Sequence, residues 1–112
     1  MTKLFKILSI AFLLQSLLVA KDLNNLTPDI QVAIKRCAEC HGIRGEKSAL
    51  HRSNIINKLS KETFMSRLNG YLKGTYGGKL KAFMRSRIAY LNKRQLTIIA
   101  EYFTSQNNKG NK

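Results

Sequence analysis

The chain has only two cysteines, only six acidic residues among 112, and no apolar run long enough to span a membrane. Each shortage excludes something. Cys37 and Cys40 stand three positions apart and close no useful loop, so the chain is not a disulfide-stapled scaffold. The longest mostly apolar stretch, Ile7 to Val19, falls short of the ~20 residues a spanning helix needs. The first arginine is Arg36, which rules out a twin-arginine export signal. No phosphate-cradling glycine loop, nucleophile–base set or paired carboxylates can be picked out, so hydrolysis and group transfer find no support. Nor is there an internal repeat, a low-complexity segment or a linker, and a chain of this length holds one domain.

What is present begins with Lys3 and Lys6, the apolar stretch, and Ala20 followed at once by Lys21 and Asp22. This is the layout of a secretory signal peptide over residues 1–20, with a single domain over 21–112; the alternative is that the stretch stays as an uncut tether. The mature part is small enough to need a cofactor to complete its core. It is also strongly basic, since the leader takes only Lys3 and Lys6 out of twenty Lys and Arg. Export and the lack of an aromatic stripe for stacking bases argue against nucleic acid. Acidic proteins and anionic membrane surfaces remain as partners.

The periodicity predicts an all-α domain of about three helices. Thr27 and Pro28 open the first, with Ile30, Ala33, Ile34 and Cys37 on one face. The second starts near Ser60, presents Phe64, Leu68, Tyr71 and Leu72, and stops at Gly74, before the Gly77-Gly78 loop. Asn92 with Gln95 forms a capping box for the third, whose face is Leu96, Ile99, Ala100 and Phe103. Residues 42–59 read as a short helical turn or an Ω-loop, and the polar tail after Ser105 as a fraying end.

Cys37-Ala-Glu-Cys40-His41 has the spacing of c-type haem attachment. Two thiols separated by two residues can add across the vinyl groups on one edge of the macrocycle, and the next residue delivers an imidazole to the iron. A thioredoxin-like thiol pair would want neighbouring strands, and a zinc site would want a second ligand pair. Neither pattern is seen, though both readings of the five residues stay open.

The run Cys37 to Leu50, Gly70 to Gly78, Phe83-Met84, and Leu96 to Phe103 with its Ala-Glu-Tyr-Phe ending resemble the class I cytochromes c. The likeness is closest to the small monohaem cytochromes of the Gram-negative periplasm, and covers about residues 27–105. It implies a fold in which the first and last helices cross, Ile30, Ala33 and Ile34 against Ile99, Tyr102 and Phe103. One covalent haem c on Cys37 and Cys40 would be wedged below, with His41 as proximal ligand. Ile30 and Ile34 stand where family members often carry a small residue and an aromatic. No proline follows His41 to supply the carbonyl that usually fixes its ring.

The same resemblance makes Met84 the sixth iron ligand. Met65 is then a packing residue, and His51 the bis-histidine alternative. Tyr71 and Tyr76 are candidates for the haem edge, and Lys79, Lys81, Arg85 and Arg87 for its propionates. The implied function is a periplasmic, monomeric, non-enzymatic electron carrier. Its partners would be acidic redox proteins such as a quinol-oxidising complex, a terminal oxidase or a peroxidase, with loose association at the membrane surface. Lys35, Arg36, Lys79, Lys81 and Arg85 would form a basic docking ring. The alternatives are a haem-based small-ligand binder or peroxidase-like protein with an open or bis-histidine iron, and a thiol–disulfide enzyme.

Overall fold

The computed structural model describes residues 20–109. The expected signal peptide, except for Ala20, lies outside them. Among the described residues there are four α-helices, several 3-10 turns and no strand: α1 (Pro28–His41), α2 (Lys61–Lys73), α3 (Lys81–Ile88) and α4 (Lys93–Ser105). The all-α expectation holds.

Local chemistry sets the helix ends. Pro28 has the backbone angle a first helical residue needs, and follows Thr27 in extended conformation. Thr27 does not cap through its side chain; it instead hydrogen-bonds the Asp29 carboxylate. At the start of α2 the Ser60 hydroxyl accepts the Thr63 N–H at 3.1 Å, and Gly74 ends the helix in the left-handed region. The box opening α4 is reciprocal: Asn92 accepts the Gln95 N–H at 2.8 Å and Gln95 accepts the Asn92 N–H at 2.9 Å.

The buried faces meet in one cluster of Ile30, Ala33 and Ile34 from α1, Phe64 and Leu68 from α2, Ile88 and Leu91, and five residues of α4. α4 packs across both α1 and α2. With alanine buried at positions 33 and 100, the crossing accommodates the bulk of Ile30 and Ile34. Phe103 stacks on Phe64 at 6.1 Å between centroids and receives Tyr102 edge-on at 5.0 Å. Ile30, Ile34 and Phe103 are each at most 1 % exposed, worth ~1.5–3 kcal/mol apiece in removed apolar surface.

The Cys-x-x-Cys-His motif is the last turn of α1, ended by Gly42 at φ +82. Two expectations need correction. A fourth helix, α3, lies where a loop was expected, and it carries Met84. The tail does not fray at Ser105: a 3-10 turn continues to Lys109, and Gln106 is buried, donating to the Lys21 carbonyl at 2.7 Å. One side-chain amide bond is enough to hold a polar residue against the fold.

The segment 42–59 is a self-tied loop with 3-10 turns at Ala49–His51 and Ile56–Lys58. The Lys47 N–H returns to the His41 carbonyl and the Asn57 N–H to Gly45. The Tyr102 hydroxyl donates to the Ile43 carbonyl at 2.5 Å, pinning the loop to α4. Gly45 is required here: its φ is +69, and a Cβ would meet the Phe103 ring at 2.8 Å.

Candidate haem site

On a helix, positions i, i+3 and i+4 share a face. Because α1 runs through the motif, Cys37, Cys40 and His41 all face one cavity of about 490 Å³, within the range of cofactor sites. α3 lines the same cavity with Phe83, Met84, Arg87 and Ile88. Phe64, Arg67, Leu68 and Tyr71 of α2 close the back, and residues from both loops complete the rim. α4 contributes no wall; it supports α1 and α2 from behind.

Burial shapes the chemistry of the motif. His41 is 9 % exposed, and desolvation lowers its pKa, keeping the imidazole in the neutral form that binds metals. Its Nδ1 is buried with no hydrogen-bond partner among the described residues, so the missing proline carbonyl has no substitute there. Burial also pushes the Cys37 thiol up to about 11. A redox-active cysteine needs a stabilised thiolate, so this environment opposes the thiol–disulfide reading.

Met84, half-buried, lines the cavity. Met65 packs against the core and does not line it. His51 is exposed, in a left-handed conformation at φ +56, and is also absent from the lining. Tyr71 and Tyr76 both line it, with ring centroids 5.2 Å apart, edge to face. Of the expected propionate partners, Lys79 and Arg87 line the cavity. Lys81 and Arg85 do not; they border a separate shallow pocket between α2 and α3, because helical spacing turns them away from the Met84–Ile88 face.

Sequence reasoning missed Arg52 and Arg67. Arg67 stands three residues after Phe64 and four before Tyr71, so the apolar spacing of α2 already placed it on this face; its guanidinium lies 5.4 Å from the Tyr76 ring centroid. The lining holds five cationic residues, Arg36, Arg52, Arg67, Lys79 and Arg87, and no carboxylate. Apolar walls, two thiols and an imidazole on one helix turn, a thioether on α3 and a one-signed set of charges fit a haem with its two propionates.

A helical domain with Cys-x-x-Cys-His turned into such a cavity is a c-type cytochrome. The comparisons with known proteins narrow the class. No family model matches the chain. It is similar to cytochrome c-553 of Nitratidesulfovibrio vulgaris, with 29 % identity over 70 residues, 62 % of this chain and 69 % of that protein. It is similar to cytochrome c-553 of Desulfomicrobium norvegicum, with 32 % identity over 68 residues, 61 % of this chain and 82 % of that one. Cytochrome c-553 of Helicobacter pylori shares 27 % over 77 residues, 69 % of this chain and 77 % of that protein. The chain belongs to the cytochrome c-553 family of small monohaem c-type cytochromes, and its cofactor is covalently bound haem c.

Proposed function

We propose that the chain is a periplasmic one-electron carrier, exported by its N-terminal segment, with haem attached through Cys37 and Cys40 and the iron held between His41 and Met84. The observation that supports this reading is that Cys37, Cys40 and His41 on one helical face line the same cavity as Met84. Haem supplies the reversible one-electron chemistry of its iron.

The chain's residues set the conditions for that chemistry. Neutral His41 supplies a nitrogen donor, and the soft thioether of Met84 favours the reduced iron, raising the potential relative to a second histidine. Phe64, Leu68 and Ile88 exclude water. Arg67, Arg52 and Lys79 offset the propionate charge from the rim. An iron held by both His41 and Met84 would offer no position to oxygen or peroxide, which suits transfer rather than catalysis.

Docking follows from the mouth of the cavity, where the exposed apolar residues Leu50, Tyr76 and Phe83 stand among these cations. A monomer with this face would meet an acidic redox partner, such as a quinol-oxidising complex, a terminal oxidase or a peroxidase. The same charge permits loose contact with an anionic membrane surface. Among the described residues no helix is long and apolar enough to cross a membrane.

The test is an optical spectrum of the haem-loaded mature protein, oxidised and reduced, including the weak far-red sulfur-to-iron band. The expected result is that band in the oxidised wild type and its loss in Met84→Ala. Haem bands without it, together with carbon monoxide binding to the reduced protein, would replace the carrier by a small-ligand binder. A colourless protein would return the case to thiol chemistry.

A further inference from the structure

Met84 is delivered by a helix with little of its own to hold it. α3 is eight residues long, and isolated helices of that length do not persist in water. Leu80, at its N-cap, offers no side-chain acceptor, and its first turn has no acidic residue. Ile88 is the one residue of the helix that is buried.

A polar clasp joins this helix to α1. The Arg87 guanidinium donates to the Arg36 carbonyl at 3.1 Å and to the Glu39 carboxylate at 2.5 Å. In the other direction, the Arg36 guanidinium lies 4.9 Å from the ring centroid of Tyr90, two residues beyond α3. Each segment therefore places a cation on an acceptor of the other. The positions are telling: Glu39 lies between the two cysteines of the attachment motif, and Arg87 follows Met84 by three residues on the same helical face.

We propose that Arg87, by bridging Glu39 and the Arg36 carbonyl, is the positioning residue that keeps Met84 at the iron. The inference rests on the Met84 reading above. Both bonds leave one terminal nitrogen of the guanidinium, Nη2, whose two in-plane N–H groups reach carboxylate and carbonyl together; lysine would keep the charge and a donor without that planar placement.

The experiment compares haem-loaded wild type with Arg87→Gln, Arg87→Lys and Met84→Ala, reading the far-red band, carbon monoxide binding and amide hydrogen exchange. Arg87→Gln is expected to weaken the far-red band, admit carbon monoxide to the reduced iron, and speed exchange of α3 amides about fivefold. Exchange in α4 should stay as in wild type, which separates loss of the clasp from general destabilisation. Arg87→Lys should restore part of the band. An Arg87→Gln protein with wild-type band and α3 exchange would overturn the clasp while leaving the Met84 assignment standing. A wild type without the band, or a band that survives in Met84→Ala, would overturn the Met84 assignment and the positioning role with it.

Discussion

Adding one methyl group at Gly45 tests how closely the loop after the haem motif is packed. Gly45 holds φ +69, and a Cβ there would meet the Phe103 ring at 2.8 Å and Ile56 Cγ1 at 2.9 Å. Phe103 is fully buried and stacked on Phe64, so the ring has nowhere to retreat. Gly45→Ala should then cost ~1–2 kcal/mol for the left-handed backbone and a further ~1–3 kcal/mol for overpacking. Gly74→Ala is the matched control, because Gly74 has φ +76 but nothing within 4 Å of its notional Cβ. It should show the backbone cost alone. For a domain of this size each kcal/mol moves the melting temperature by ~4–8 °C. Thermal unfolding of the haem-loaded proteins should thus show a drop of about 5–10 °C for Gly74→Ala and roughly twice that for Gly45→Ala. Because Phe64 also lines the haem cavity, Gly45→Ala should broaden the haem absorption bands, and Gly74→Ala should not. Equal melting temperatures for the two variants would refute the close approach of the loop to Phe103.

Other predictions follow from capping and charge. Asn92→Ala removes one half of the box that starts α4 and should destabilise by ~1 kcal/mol in urea titrations; Asn92→Ser should recover most of it. Hydrogen bonds from Thr27 and Gln95 hold the Asp29 carboxyl below its ordinary value. A carboxyl depressed in the folded state stabilises the fold above its unfolded pKa, and that contribution is lost as pH falls through the folded one. Wild type should therefore exceed Asp29→Asn in urea midpoint at pH 6, and the difference should shrink as pH falls below the ordinary aspartate value of ~3.9. The rate of reduction by an acidic partner should fall as ionic strength rises, more steeply for wild type than for Lys79→Gln; a flat profile would remove electrostatic steering.

The helices that were legible in the sequence are those with a start signal and a long apolar stripe. α2 and α4 had both, and α1 had Pro28 at its first position; of the faces read from spacing, Ile30, Ala33, Ile34, Phe64, Leu68, Leu96, Ile99, Ala100 and Phe103 are buried, and Cys37, Tyr71 and Leu72 half-buried. α3 had neither. Its eight residues include three cations, it begins without a capping side chain, and it is held by contacts from α1 and α2 that are distant in sequence. Gln106 was misjudged for a related reason: its polarity points to solvent, and only the returning chain at Lys21 supplies the partner that buries it. The chemical motif was readable because its spacing is itself the chemistry. Lys81 and Arg85 were assigned to the cavity by nearness to Met84 along the chain, whereas the turn of α3 sends them elsewhere.

The one-signed wall has a consequence for how the molecule comes into being. Five cations line an apolar hollow that no carboxylate lines, and among the described residues only Arg87 of the five is ion-paired, with Glu39. Before attachment, this cavity is the least finished part of the polypeptide: α3 is held by the Arg87 clasp and buried Ile88, and like charges face the hollow. Attachment of a flat apolar group bearing two negative charges would fill that hollow and offset part of its positive charge in one event. For this chain, acquiring the cofactor should therefore stabilise the cavity walls more than the packed α1–α4 crossing, and the colour of the protein reports that step.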